Sequence, residues 1–152
     1  MTEVPFRGRR LFAYGTLMFP AVIKSVIGRV PDSHSAVISG YRRLEVAGES
    51  FPGLVTENGG SVEGLLYENI SSNEWERLAS FEDDFYELQQ IIVDCSGTNV
   101  GALAFIVPPS RRSVLSGKVW NPEFFQENHL AEFARQRQSS TQQDGRDRDG
   151  CA

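Results

Sequence analysis

Two hydrophobic rhythms alternate along this chain. The run Arg10-Leu11-Phe12-Ala13-Tyr14 is apolar and stops at Gly15, the pattern of a buried strand followed by a turn. From Phe19 to Ile27 the apolar spacing becomes helical. Pro20 stands where its missing N–H costs nothing, and Gly28 can end the helix. Residues 36–47 read as a strand broken at Gly40. Phe51-Pro52-Gly53-Leu54 reads as a turn or loop, and Gly59-Gly60 punctuates the chain before a strand over residues 62–67. Ser71 with Glu74 three residues on can satisfy two orphan N–H groups, so a helix starts there and presents Trp75, Leu78 and Ala79 on one face. Residues 85–95 and 100–107 are strands joined across Ser96-Gly97-Thr98-Asn99, a hairpin that Pro108-Pro109 ends. Asn121-Pro122-Glu123 opens a last helix, which Phe125, Leu130 and Phe133 dock on the core.

Strands outnumber helices, and neighbouring strands are mostly joined by hairpins. The expected fold is α+β, a small curled, mostly antiparallel, barrel-like sheet with a few flanking helices. Residues 1–9 are a polar lead and residues 10–135 form one domain. Residues 136–152 are rich in Gln, Ser, Asp, Arg and Gly and are expected to be a disordered tail. No internal repeat is visible.

Composition narrows the function classes. Of the 152 residues 40% are hydrophobic, enough for one sizeable core, and the formal net charge is −5, which argues against general nucleic-acid binding. The basic clusters, Arg7-Arg9-Arg10, Arg42-Arg43 and Arg111-Arg112, are short and read as solvated surface. Two cysteines, Cys95 and Cys151, are too few for a disulfide scaffold and suit a reducing, cytoplasmic setting. No apolar run approaches the roughly 20 residues of a membrane helix, and no signal peptide is evident.

Two segments can carry chemistry. Tyr14-Gly15-Thr16-Leu17 lies between a strand and a helix, where backbone amides can face a carboxylate. An ordinary strand-to-helix turn would look the same. Phe81-Glu82-Asp83-Asp84-Phe85-Tyr86-Glu87 packs four acids among aromatic residues. Burial beside rings raises a carboxyl pKa toward the range a general base needs, and neighbouring acids push the same way. The plain alternative is a solvated acidic loop. The cluster lacks the His and Cys ligands of a zinc site and the spacing of a calcium loop, so no metal is expected. His34 and His129 are far apart, and His129 reads as a core histidine on the apolar side of its helix. On the strand after Gly40, Arg43 can grip a carboxylate bidentately or simply face solvent.

In their order and spacing, these segments resemble the AIG2-like (γ-glutamylamine cyclotransferase) branch of the γ-glutamyl cyclotransferase-like superfamily. The resemblance rests on residues 11–18, Gly40-Tyr41-Arg42-Arg43, Phe51-Pro52-Gly53-Leu54, residues 62–67 and residues 78–86. It implies a barrel-like α+β fold, a general acid–base at Glu82, and a substrate cradle from Tyr14, Gly15, Thr16 and Leu17 with Tyr86 and Arg43. It further implies release of 5-oxoproline and an amine from a small γ-glutamyl substrate. No cofactor, nucleic acid or membrane is involved, and the expected state is a monomer or weak homodimer. The chain departs from the family pattern at Ala79, usually Asp, and at Leu88, often Arg. Those departures keep two alternatives open: a related acyltransferase or amidohydrolase, and a non-catalytic ligand-binding domain.

Overall fold

The computed structural model describes residues 10–142. The elements follow in the order β1 (Leu11–Ala13), α1 (Pro20–Ile27), β2 (Ser33–Val46), β3 (Pro52–Tyr67), α2 (Ser72–Phe81), β4 (Glu87–Cys95), β5 (Thr98–Ile106), β6 (Leu115–Val119), α3 (Pro122–Asn128) and α4 (Leu130–Gln142). Short stretches of 3-10 helix occupy Thr16–Met18 and Pro109–Val114. The polar lead lies outside the described residues.

Five strands close into a barrel in the order β3-β1-β5-β4-β2, with β2 pairing back to β3 and β6 added on the outside of β2. The β1–β5 pairing is parallel and the others are antiparallel. The fold is therefore the expected α+β, barrel-like one. Its core runs through Phe12, Ile38, Leu54, Leu66, Tyr67, Val93, Ala104 and Ile106. All three β1 residues are buried, because the strand has the barrel interior on one face and packed structure on the other.

Local signals act where they were expected. Gly28 caps α1 at φ 88°, a left-handed conformation that favours glycine. Ser71 and Glu74 form a reciprocal capping box at the start of α2, and the Asn121 side chain accepts from the Phe124 N–H at the start of α3. Rings of Phe19, Trp120, Phe125 and Phe133 stack at centroid distances of 5.4 to 5.6 Å and join α1 to the C-terminal helices.

Four expectations need correction. Pro52-Gly53-Leu54 is strand and not loop, since Pro52 opens β3 opposite Glu45. Gly59-Gly60 does not end a strand. β3 runs through both glycines, and the register shifts from Ser39 opposite Ser61 to Tyr41 opposite Thr56, so residues 57–60 bulge out opposite Gly40. Ala79 is exposed and does not share the buried face of Leu78. The polar tail expected from residue 136 begins as helix, because α4 continues to Gln142. Glu132 bonds Arg135 and Gln136 at its start, pairs that support a helix locally. Residues 143–152 of the tail, Cys151 among them, lie outside the described residues.

Candidate active site

The turn after β1 is held by its carbonyls. The Arg43 Nη1 donates to the Tyr14 carbonyl at 2.9 Å, and the Tyr67 hydroxyl donates to the Leu17 carbonyl at 2.7 Å. The N–H groups of Met18 and Phe19 donate to the carbonyls of Gly15 and Thr16 at 3.0 and 3.1 Å. All four carbonyls from Tyr14 to Leu17 are thus occupied from within the protein. None of those four bonds uses an N–H of Gly15, Thr16 or Leu17. Burial raises the Tyr67 pKa, which keeps that phenol protonated and donating.

The Tyr14, Gly15, Thr16 and Leu17 residues are all buried. The Tyr14 hydroxyl donates to the Phe105 carbonyl at 2.6 Å, so it ties the turn to β5. Arg43 also reaches the Glu63 carbonyl at 3.2 Å, and its guanidinium lies 5.3 Å from the Trp120 ring centroid. Its Nε is buried with no partner among the described residues, and burial lowers its pKa, with Glu123 next among the causes and opposing the shift. Arg43 is therefore no solvated surface residue. It clamps the start of the turn, and Trp120 covers the clamp.

Glu82 caps the C-terminus of α2, its N–H bonded to the Leu78 carbonyl at 3.2 Å. The residue as a whole is only half-buried, yet both carboxylate oxygens are enclosed and neither has a hydrogen-bond partner among the described residues. Burial first, and the Asp83 charge second, hold its pKa well above the ordinary carboxylate range. An enclosed carboxyl group with no donor is costly, and native proteins rarely keep one without a use. Tyr86 closes the segment. Its hydroxyl donates to the Pro52 carbonyl at 2.6 Å and its ring lies 4.6 Å from that of Phe85. Asp84, by contrast, is exposed and meets Arg111 at 3.8 Å.

Strand direction relates the two segments. β1 runs parallel to β5, with Leu11 opposite Leu103, and β5 ends opposite the start of β4, with Ile106 opposite Glu87. The turn that follows β1 and the Glu82–Tyr86 loop that precedes β4 therefore leave the same end of the barrel. They are two strand spacings apart, about 10 Å along the sheet. No direct bond links Glu82 to the turn.

Three supports escaped the sequence reading: Tyr67, Trp120 and the Phe105 carbonyl. Each acts across 50 residues of chain or more, so no local pattern marks it. His129 is a correction. It is exposed at the break between α3 and α4, with its ring 5.7 Å from Phe124 and 6.1 Å from Phe125. No group of three or more His, Cys, Asp or Glu side chains among the described residues is arranged to hold a metal ion. No helix among them is long and apolar enough to cross a membrane.

The architecture is shared with solved proteins. A solution structure from Arabidopsis thaliana superposes with a TM-score of 0.65 over 90% of this chain and 83% of that one, at 22% identity. A yeast γ-glutamyl cyclotransferase described as specific to glutathione gives 0.57 over 73% of each chain at 12% identity. Those likenesses define the fold. The profile of the family described as "Gamma-glutamyl cyclotransferase, AIG2-like" matches residues 11–122, and the chain belongs to that family. Among curated relatives from Arabidopsis thaliana, AIG2-like protein C is 35% identical over 89 residues, 59% of this chain and 52% of that protein. AIG2-like protein D is 25% identical over 126 residues, 81% of this chain and 82% of that protein. Except for protein D, the chain spans about half the length of these relatives.

Proposed function

We propose that this chain is a γ-glutamyl cyclotransferase acting on a small γ-glutamyl amine or γ-glutamyl amino acid. The observation that carries the reading is the enclosed, unpartnered carboxyl group of Glu82. An α-ammonium group is the natural partner for it, since it brings the donors and the positive charge the site lacks. Family membership supports the same reading.

In the proposed reaction Glu82 takes a proton from the substrate α-ammonium. The freed amine attacks the γ-carbonyl, forming the new C–N bond of a five-membered lactam. The negative charge collects on the carbonyl oxygen. Collapse breaks the bond to the leaving nitrogen, which receives the first proton back from Glu82; the ring nitrogen gives up its second proton, and the amine departs as an ammonium ion. The products are 5-oxoproline and a free amine, and no cofactor enters the balance. A positioned acid–base is typically worth about 10²–10⁴ in rate. The N–H groups of Gly15, Thr16 and Leu17 are the proposed donors to the α-carboxylate or the oxyanion, with roughly 2.7–4 kcal/mol expected for one well-aimed donor to an oxyanion. Tyr14 and Tyr86 bound the site as walls whose hydroxyls already serve the scaffold. Arg43 holds the cradle through the Tyr14 carbonyl.

The departures at Ala79 and Leu88 both lie at exposed positions, which separates them from the enclosed carboxyl group. The catalytic reading is tested by incubating the protein with a panel of γ-glutamyl amines, amino acids and peptides and identifying the product by mass. 5-Oxoproline supports cyclisation. Free glutamate indicates a hydrolase, and thermal stabilisation without any product indicates a binding domain. The proposed setting is cytoplasmic.

A further inference from the structure

A second cleft, formed by elements away from the Glu82–Tyr86 loop, lies between the end of β2, the residues after β6 and the α3–α4 junction. Its volume is about 460 Å³, within the range of small-molecule sites. Glu45, Glu49, Trp120, Phe124, Phe125 and His129 line it, and no Lys or Arg does. We infer that this cleft binds an organic ammonium ion, an amine or quaternary ammonium group carried on a small molecule.

The chemistry of the walls selects that class. Aromatic faces attract cations, and nearby carboxylates add net negative charge. Neither Glu45 nor Glu49 takes part in an ion pair among the described residues. Phe124 is 56% exposed at the rim, so its ring face is open to a ligand. Trp120 is fixed as a wall, its Nε1 donating to the Ser50 carbonyl at 2.7 Å. The Arg43 guanidinium already sits over its ring, which leaves the exposed rings of Phe124 and His129 beside the two carboxylates to meet a ligand. A neutral apolar ligand would strip water from two carboxylates and return no charge to them, and an anion would be repelled. A bare metal ion would want more oxygen donors than rings provide. This site needs nothing from Glu82, so the inference stands or falls independently of the cyclotransferase reading.

Isothermal titration calorimetry on the full chain tests it, with choline as the probe and 3,3-dimethyl-1-butanol as its neutral isostere. Saturable binding of choline and none of the alcohol is expected. Phe124→Ala and Glu49→Gln, both at exposed positions and so compatible with folding, are each expected to weaken choline binding about two- to fivefold. The inference is overturned by a failure of choline to saturate at millimolar concentration. Equal binding of the neutral alcohol, or unchanged affinity in both variants, overturns it as well.

Discussion

A glutamine at position 82 keeps the shape of the side chain and removes its ability to ionise. In the wild type both Glu82 oxygens are enclosed without a partner, and burial, then Asp83, raises the pKa well above 4.5. In the unfolded chain the same group titrates near its ordinary value, about 4.3. Between those two pKa values the folded protein holds one proton that the unfolded chain has released. Stability therefore falls as pH rises through that window. The slope is at most 2.303RT, about 1.4 kcal/mol per pH unit. Below the window both states are protonated and the penalty vanishes; above the folded pKa it is complete. Glu82→Gln carries no such proton. Its buried amide costs something, but that cost is independent of pH. The variant is therefore expected to gain on the wild type by up to about 1.4 kcal/mol for each pH unit inside the window, a melting shift of about 3–6 °C per unit for a chain of this size. Urea denaturation of both proteins in one-unit steps upward from about pH 5 measures the gap. Parallel stability profiles would show that the carboxyl group is not held in an environment that penalises its charge, and the acid–base assignment would lose its physical basis.

Three further outcomes follow from the same geometry. Arg29 bonds Glu74 at 2.6 and 2.8 Å and, chiefly through that bond, pulls its pKa down to about 2. The pair's stabilisation is complete above the ordinary Glu value and is lost as pH falls toward about 2, so Arg29→Ala should show a shallower acid limb by circular dichroism; identical limbs would contradict this. Gly64→Ala would set a Cβ against the Ala13 carbonyl oxygen and 2.8 Å from Phe12 Cζ, so β1 must shift, with an expected loss of about 1–3 kcal/mol in thermal or urea melts and no loss if the reasoning is wrong. Tyr86→Phe strips the Pro52 carbonyl of its donor in a buried setting, and urea denaturation should report a loss of about 1–3 kcal/mol.

Much of the fold was legible because its signals are local. The β1 run, the Gly28 cap and the Ser71–Glu74 box each lie within about ten residues, and the β4–β5 hairpin is one continuous stretch, residues 87–106. Long-range features were not legible. The parallel contact of β1 with β5 joins Leu11 to Leu103, and nothing near either residue announces it. Phe51-Pro52-Gly53-Leu54 and Gly59-Gly60 have the composition of turns, yet a 16-residue strand absorbs them: proline is tolerated at its first position and a bulge takes up residues 57–60. Nothing in the pattern marked β6 as a strand. It is short, mostly exposed and carries Gly117. At the site, the acid–aromatic run marked four candidate acids and only the family resemblance singled out Glu82; its enclosure depends on tertiary packing around the end of α2. Arg43 was readable as an arginine on a strand. Its grip on the Tyr14 carbonyl, under the cover of Trp120, required residues from three distant elements.

The central claim is that the carboxylate of Glu82 moves the proton in the cyclisation. The most direct measurement is the rate of 5-oxoproline formation by wild type and Glu82→Gln on a γ-glutamyl compound the wild type turns over, with cooperative unfolding checked in the same preparations. The predicted result is a folded variant slowed by at least about 10². A folded Glu82→Gln protein that releases 5-oxoproline at the wild-type rate would contradict it.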